Sequence, residues 1–250
     1  MTPERGRKKR LDRELVERQL VESREKAQAL ILAGKVLVDG QLSDKPGRSV
    51  DDSSRIDVQQ PLRYVSRGGL KLEAALETFH IPVEGRICLD IGTSTGGFTD
   101  CLLQRGAARV HAVDTGAGQI HWRLRTNPHV VLHENTNARH LMFEDIGEYA
   151  SLIACDVSFI SVTLLIPALA PLLIEEGDWI ILAKPQFEVG RERVGKGGIV
   201  RDPEAQQWAC NRVAAAMNTA GFKTEMADSP ILGAEGNREF LLHGKRGTLR

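Results

Sequence analysis

A glycine-rich turn between two short apolar strands is the feature of this sequence that most constrains its fold. Residues 88–91 form an apolar run that enters the turn Gly92-Thr-Ser-Thr-Gly96-Gly97, and a second apolar run, residues 110–113, ends in Asp114. A strand, a glycine-rich turn, a helix and a strand ending in a carboxylate form the first half of a nucleoside-binding α/β unit, in which the carboxylate accepts hydrogen bonds from a ribose diol. The segment therefore predicts an enzyme with a nucleoside cofactor.

The residues of this turn favour one cofactor over another. Turns that bind dinucleotides follow the pattern G-x-G-x-x-G and direct a helix N-terminus at a pyrophosphate. Here the glycines are spaced differently, and Asp90 precedes Gly92 by two positions. A carboxylate there would repel a pyrophosphate but suits a cationic ligand, such as the amino group or the sulfonium of a methionine. We therefore expect S-adenosylmethionine; the alternative is a tight turn that binds no ligand.

Beyond about residue 82 the pattern alternates between strands and helices. We expect strands at residues 86–91, 109–113, 130–132, 152–156, 179–183, 222–228 and 239–243, and helices at 97–105, 118–126, 161–174 and 203–220. This alternation predicts a Rossmann-like, doubly wound α/β fold with a mostly parallel sheet. Ligands bind such sheets at the carboxyl ends of the strands. Four charged residues fall near predicted ends: Asp90, Asp114, Asp156 and Lys184.

The first 60 residues follow a different pattern, which predicts two short helices and a small sheet. One helical face is formed by Leu11, Leu15, Val16 and Leu20. Ser23 is a candidate N-cap for the second helix, Gly34 ends it, and an Asp-Gly pair at residues 39–40 predicts a hairpin. We therefore expect a small N-terminal α+β domain.

These patterns divide the chain into a small domain at residues 1–60, a linker and helix at 61–81, and a large domain at 82–250. Five cations occur within residues 5–10, and further cations follow in the predicted helices. The small domain either binds nucleic acid through these cations or carries them as solvated surface charges.

Composition and charge exclude several classes of protein. The formal net charge is zero, so no overall field attracts a polyanion. The four cysteines lack CxxC spacing, which argues against a zinc site and a disulfide framework and indicates a reducing, cytoplasmic environment. The apolar residues 152–174 are numerous enough to span a bilayer, but they include Asp156 and two prolines. We therefore expect a buried strand and helix there, and no stable membrane insertion.

Several motifs occur together as they do in one known family. They are Tyr64-Val-Ser-Arg-Gly-Gly-x-Lys71, Asp90-Ile-Gly-x-Ser-Thr-Gly-Gly-Phe-Thr-Asp100, Asp156-Val-Ser-Phe-Ile-Ser161, Lys184-Pro-Gln-Phe-Glu188 and Gly236-Asn-Arg-Glu239. The chain resembles the TlyA family of ribosomal RNA 2′-O-methyltransferases, which are also labelled hemolysin-like. The resemblance implies an N-terminal alpha-L RNA-binding motif and an FtsJ-like methyltransferase domain that uses S-adenosylmethionine to modify ribosomal RNA or ribosomal subunits.

The resemblance also implies a catalytic tetrad of Lys71, Asp156, Lys184 and Glu239. A lysine acts as a base only when its pKa is lowered from about 10.4, which burial and a second cation achieve. We expect Lys184 to be the base for the ribose hydroxyl and Asp156 to hold it in position. Glu239 would orient Lys71 or the hydroxyl.

The remaining expectations concern binding. The predicted cofactor-binding residues are Asp90, Gly92, Ser94, Gly96, Gly97, Phe98, Thr99, Asp114 and Asn137. The predicted RNA-binding residues are Arg10, Arg18, Ser23, Arg24, Lys26, Lys35, Arg63 and Arg67. The loop at residues 195–203 either closes over the substrate or is an ordinary surface loop. Two other functions stay open: a membrane-active hemolysin-like protein, and a ribosome- or RNA-binding factor without turnover.

Overall fold

A computed structural model describes residues 8–59, 63–233 and 236–246. The chain divides into two compact units, Met1–Pro61 and Leu62–Arg250. The basic run at residues 5–10 lies partly outside the described residues, which begin at residue 8.

The first unit is a small α+β fold. Its elements are β1 (Lys9–Arg10), α1 (Leu11–Glu17), α2 (Arg24–Leu32), β2 (Val36–Val38), β3 (Gln41–Leu42), β4 (Ser49–Val50) and β5 (Ile56–Val58). The strands form a three-stranded sheet in the order β3-β2-β5 and a β1-β4 pair. Both helices bury apolar residues against the strands, with Leu11, Leu15 and Ile31 fully enclosed.

Two local expectations for this unit have different outcomes. Ser23 is the N-cap of α2, because its side chain accepts a hydrogen bond from the backbone N–H of Lys26. The expected place of Leu20 on the face of the first helix is wrong. Helix α1 ends at Glu17, and Leu20 lies beyond it with 39% of its surface exposed.

The second unit alternates helices and strands. Its elements are α3 (Gly68–Thr78), β6 (Ile87–Ile91), α4 (Gly97–Gln104), β7 (Arg109–Val113), α5 (Trp122–Arg125), β8 (Val130–His133), α6 (Phe143–Ile146), β9 (Ala150–Cys155), α7 (Ile166–Leu169), β10 (Leu173–Ala183), α8 (Pro185–Glu188), α9 (Pro203–Thr219), β11 (Phe222–Asp228) and β12 (Phe240–Arg246). The seven strands form one sheet in the order β11-β12-β10-β9-β6-β7-β8. Apolar clusters cover both faces, so the predicted doubly wound α/β fold is confirmed.

The strand directions bring distant parts of the chain to one edge of this sheet. Strands β8, β7, β6, β9 and β10 run parallel, whereas β12 runs antiparallel to β10 and pairs Phe240 with Ala183. The start of β12 therefore lies beside the carboxyl ends of the parallel strands. Neighbours β6 and β9 mark the point where the strand order reverses, which is where ligands bind in such sheets.

Two expected helices are shorter than their patterns suggested. The helix expected at residues 118–126 is reduced to the single turn of α5. The helix expected at residues 161–174 is three short pieces: a 3₁₀ turn at Val162–Leu164, α7, and a 3₁₀ turn at Ala170–Leu172. Pro167 and Pro171 are the second residues of the last two pieces, where the missing N–H is tolerated within a first turn but a continuous helix is interrupted.

The long apolar run at residues 152–174 is accordingly divided among β9, these short helical pieces and the first residues of β10. Its length suggested a membrane span only when it was taken as one segment. Among the described residues, no helix combines the length and the apolar character that crossing a bilayer requires.

Candidate active site

A cavity of about 650 Å³ opens at the carboxyl edge of the sheet. Helix α3, the residues that follow β6, β9 and β10, and the residues that precede β12 line it. All four side chains of the expected tetrad contribute to its wall: Lys71, Asp156, Lys184 and Glu239.

The first pair of the tetrad joins two neighbouring strand ends. Asp156 follows β9 and Lys184 follows β10, and the Lys184 Nζ lies 2.6 Å from Asp156 Oδ1. The same Nζ donates a hydrogen bond of 2.9 Å to Ser158 Oγ. Both side chains are mostly buried, with 11% of Lys184 and 21% of Asp156 exposed. The amine therefore lies at a fixed place in the cavity wall.

The second pair joins α3 to the start of β12. Lys71 Nζ lies 2.5 Å from Glu239 Oε2, and both residues are buried. The helix carrying Lys71 packs closely on Tyr64, because a Cβ at Gly69 would lie 2.3 Å from the Tyr64 ring. Burial raises the pKa of Tyr64, so its hydroxyl stays protonated and donates to Glu73 on the same helix. This packing fixes the position of Lys71.

A second cavity, of about 350 Å³, adjoins the first. Gly92, Ser94, Asp156, Ser158 and Phe159 line both. Asp114 and Asn137 lie on the far side of the second cavity, together with apolar side chains. The Asp114 carboxylate accepts bonds of 2.7 Å from the backbone N–H groups of Ser94 and Gly116. It is therefore held in place at the end of β7.

The turn between β6 and α4 requires glycine at two positions, because the backbone has a positive φ there and neighbouring atoms leave no room for a Cβ. Gly92 has φ +85°, and a Cβ there would lie 2.5 Å from the backbone oxygen of Asp156. Gly96 has φ +94°, and a Cβ there would lie 2.3 Å from Leu124. These contacts explain both glycines, since the turn passes directly against the loop that carries Asp156 at Gly92 and against Leu124 at Gly96.

Asp90 is placed differently from the expectation that it would face a cationic ligand. It lies in the middle of the sheet, is fully buried and lines neither cavity. Its Oδ2 accepts hydrogen bonds from the backbone N–H and the hydroxyl of Thr99. Burial, with a smaller contribution from the charge of Asp156, raises the pKa of Asp90 to about 7. In this structure Asp90 supports the first turn of α4.

The other predicted cofactor-binding residues divide into two groups. Those that line a cavity are Gly92, Ser94, Gly97, Phe98, Asp114 and Asn137. Gly96 and Thr99 line neither cavity: Gly96 is the N-cap residue of α4, and Thr99 donates to Asp90.

Several predicted RNA-binding cations already have partners within the first unit. Arg10, Arg24 and Gln28 all donate to the fully buried Asp12. Arg18 pairs with Glu14 and also donates to backbone carbonyls. These contacts hold the unit together, whatever else the cations bind.

The remaining predicted cations differ from one another in their surroundings. Lys26 pairs with Glu22 one helical turn away, whereas the exposed Lys35 forms no ion pair with any described residue. In the second unit, Arg63 pairs with Glu73, while Arg67 is exposed and lines the larger cavity.

Several residues around the tetrad have no role predicted from the sequence. Ser158 binds Lys184, and the rings of Phe159 and Phe187 meet at the cavity wall with centroids 5.3 Å apart. Phe159 is 92% exposed and has φ +66°, which is rare for a bulky residue. These residues belong to the motifs quoted above, but nothing in the motifs distinguishes a wall residue from a core residue.

Comparison with known proteins agrees with this geometry. The FtsJ-like methyltransferase family matches residues 64–246, and the S4 domain matches residues 9–56. The 16S/23S rRNA (cytidine-2′-O)-methyltransferase TlyA of Mycobacterium tuberculosis is 46% identical over 240 residues, covering 95% of this chain and 90% of that protein. The chain belongs to the TlyA family of FtsJ-like methyltransferases.

Other relatives of this methyltransferase are named as hemolysins. Hemolysin A of Brachyspira hyodysenteriae is 45% identical over 238 residues, covering 94% of this chain and 98% of that protein. A solved structure of a hemolysin-like protein from Streptococcus thermophilus is 43% identical, with a TM-score of 0.75, and covers 96% of this chain and 89% of that one.

The cofactor of FtsJ-like methyltransferases is S-adenosylmethionine, and the two adjoining cavities fit it. Asp114 lines the smaller cavity, and Gly92, which has no side chain, lies in the wall that the two cavities share. The expectation of S-adenosylmethionine is therefore confirmed. Among the residues that the structure describes, no group of histidines, cysteines and acids is arranged to hold a metal ion.

Proposed function

We propose that this enzyme transfers the methyl group of S-adenosylmethionine to a ribose 2′-hydroxyl of ribosomal RNA in the cytoplasm. The observation that carries the proposal is the pairing of Lys184 with Asp156 and of Lys71 with Glu239 in one cavity beside the cofactor cavity. The TlyA relative from Mycobacterium tuberculosis, which is named for this reaction on 16S and 23S rRNA, supports the choice of substrate.

Lys184 is the general base in this proposal. A ribose hydroxyl is a weak nucleophile until its proton is removed, and a positioned base contributes about 10²–10⁴-fold to the rate of such a step. The neutral amine of Lys184 accepts the hydroxyl proton. Asp156, whose Oδ1 lies 2.6 Å from the Nζ, then stabilises the ammonium that forms. Ser158 holds the same nitrogen from a second direction.

Lys71 positions the ribose. Its ammonium has three protons, of which one is directed at Glu239 at 2.5 Å. The other protons are available to oxygen atoms of the ribose. Because Glu239 and Lys71 are both buried, the pair has little freedom to move when substrate enters. Holding the hydroxyl in line with the methyl group contributes to the rate by orientation alone.

The cofactor supplies the electrophile, a methyl group on a positively charged sulfur. Asp114 would bind its ribose, and Asn137 and the apolar wall of the smaller cavity would bind its adenine. The turn at Gly92 and Ser94 lies between this cavity and the tetrad. The cofactor site and the base therefore lie in neighbouring cavities that share part of their walls.

Other features favour RNA as the substrate. The 2′-hydroxyl distinguishes RNA from DNA, and RNA-binding proteins stack unpaired bases on aromatic rings. Phe159 and Phe187 present such rings beside the tetrad. In the S4 unit, the exposed Lys35 is available to phosphate groups, which position RNA without reading its sequence.

A labelling experiment tests the proposal. The full-length protein is incubated with methyl-tritiated S-adenosylmethionine and unmodified ribosomal subunits, and label in the RNA is counted. We expect label in RNA from the wild type. Binding of the cofactor with no label in either subunit or in free ribosomal RNA would instead favour an RNA-binding factor without turnover. Leakage of liposomes by the purified protein would favour a membrane-active one.

A further inference from the structure

A buried acid that the mechanism does not use lies next to the tetrad. Glu188, the last residue of α8, is 2% exposed. Its Oε2 accepts a hydrogen bond of 2.5 Å from Ser161 Oγ, and its Oε1 accepts one of 2.8 Å from the backbone N–H of Val162. Both partners lie at the end of the loop that follows β9. We call residues 156–161 the β9 loop.

The circuit formed by these contacts is a closed path along the backbone and through two side-chain contacts, and it includes Lys184. Lys184 precedes α8 directly, and Glu188 ends α8. From Glu188 the circuit crosses to Ser161, runs back along the β9 loop to Asp156, and returns to Lys184 through the ion pair. The contact of Glu188 with Ser161 therefore joins the loop that carries Asp156 to the helix that follows Lys184.

The β9 loop needs such a restraint. It contains Phe159 in the left-handed region, a strained conformation for a bulky residue that persists only where its surroundings hold it. The other end of the loop is held by the backbone N–H of Asp156, which donates to Ile91 in β6. Glu188 is the polar anchor at the Ser161 end, and the ring contact of Phe159 with Phe187 is an apolar one.

Glu188 is also held from α9 through its backbone. Arg212 donates to the backbone oxygen of Glu188 at 2.5 Å, and its charge favours the ionised form of the acid. Burial opposes this and raises the pKa of Glu188, while the bonds from Ser161 and Val162 act in the other direction. A buried acid that keeps two directed bonds at this site is suited to hold a loop.

We propose that Glu188 is a positioning residue for methyl transfer, whose carboxylate fixes the β9 loop against α8 and thereby sets the separation of Asp156 and Lys184. The inference rests on the proposed function only in assigning Lys184 the role of base. Glu188 lines neither cavity, so it acts on the rate of the chemical step through the base.

Three variants test this role. Glu188→Ala removes both bonds. Glu188→Gln keeps an oxygen for the Val162 N–H and presents an NH₂ to Ser161 Oγ, so it restores the circuit with one bond reversed. Asp178→Asn is the matched control, because Asp178 is an equally buried acid on β10 that binds Arg86 and His243 and lines neither cavity.

We expect Glu188→Ala to lower kcat about 100-fold, as a misplaced base does. The KM for RNA and the Kd for S-adenosylmethionine should change by less than about threefold, because the cofactor and RNA contacts remain. Glu188→Gln should recover at least about tenfold of the lost kcat. Amide exchange across residues 157–162 should accelerate in Glu188→Ala and stay unchanged in Asp178→Asn, which should lose stability but not kcat.

Several results would overturn the proposal: a Glu188→Ala kcat equal to that of the wild type, a change confined to KM, or a Gln variant no better than Ala. If Glu188→Ala does not fold, Ser161→Ala removes one of the two bonds, and an unchanged kcat in that variant would count against the proposal. If the wild type labels no RNA, the proposed function fails. The amide exchange of residues 157–162 then still decides whether Glu188 holds the loop.

Discussion

Lys184 is held at the end of β10 by an ion pair with Asp156 and a hydrogen bond to Ser158, in the wall of the larger cavity. We predict that Lys184→Ala lowers kcat about 10²–10⁴-fold, the contribution of a general base, while cofactor affinity measured by calorimetry stays near that of the wild type. Lys223→Ala, an exposed lysine on β11, is the control and should keep full activity. Normal turnover by Lys184→Ala would refute the assignment of the base.

Asp90 gives the fold a pH dependence of its own. Its pKa is raised by burial to about 7 in the folded chain, above the ordinary value near 3.8, so the folded state retains a proton that the unfolded state releases. The stability that this protonation provides is complete below about pH 4 and is lost as the pH rises through 7.

The corresponding prediction concerns Asp90→Asn, whose amide stays neutral at every pH. The wild type should lose roughly 2–3 kcal/mol of unfolding free energy when the pH rises from 5 to 8, and the variant should not. The stability of the variant relative to the wild type should therefore increase by that amount. Urea unfolding of both proteins at the two pH values measures this difference. The same difference in stability at pH 5 and pH 8 would contradict the raised pKa.

The role of Asp90 was not predictable from the sequence because it depends on the face of the strand. The motif indicated a carboxylate near the ligand, and Asp90 does lie on β6 just before the turn. In the sheet it pairs with Ala112 and Ala154, and its side chain reaches Thr99 on α4 instead of a cavity. Which face a strand residue occupies is decided by packing against elements distant in sequence.

At the scale of elements, the glycine turn and the β9 loop are in direct contact. We predict that Gly92→Ala weakens S-adenosylmethionine binding by at least about tenfold and lowers Tm, because its Cβ would lie 2.5 Å from the Asp156 backbone oxygen. Gly118→Ala is the matched control: Gly118 also has a positive φ, +73°, but nothing lies within 4 Å of its Cβ. Equal effects of the two substitutions would mean that backbone strain alone, and not the contact, is responsible.

The cations of the S4 unit have different roles according to their contacts. Arg18 binds Glu14 and three backbone carbonyls, so Arg18→Ala should cost about 1–3 kcal/mol of stability. Lys35→Ala should leave the stability unchanged and reduce the salt dependence of RNA binding by about one unit of slope. Thermal unfolding and filter binding at several salt concentrations separate the two. A destabilised Lys35→Ala, or an unchanged salt slope, would count against this division.

The elements themselves were predicted unequally well. Strands β7 and β11 lie where their patterns indicated, because buried and edge strands keep their apolar spacing over several residues. The helix expected at 161–174 was wrong, since one apolar run supplied both a helical pattern and the start of β10. The spacing of apolar residues does not show where the helical pieces end and β10 begins. Pro167 and Pro171 do mark where a continuous helix is interrupted.

For the whole molecule, the resemblance of the motifs indicated the tetrad, but its geometry depends on topology. Glu239 reaches the site because β12 runs antiparallel to β10, so its beginning meets the carboxyl ends of the parallel strands. No spacing in the sequence links Lys71 to Glu239, which are distant along the chain and in contact in the fold. The ring pair Phe159–Phe187 and the hydrogen bond between Glu188 and Ser161 can also be recognised only in the folded chain.

The most direct test of the central claim is the chemical identity of the product. Ribosomal RNA labelled by the full-length enzyme with tritiated S-adenosylmethionine is hydrolysed in alkali, which cleaves next to every free 2′-hydroxyl but not next to a methylated one. We predict that the label elutes in alkali-resistant dinucleotides and is absent with Lys184→Ala. Label in mononucleotides, which would locate the methyl group on a base, would contradict it.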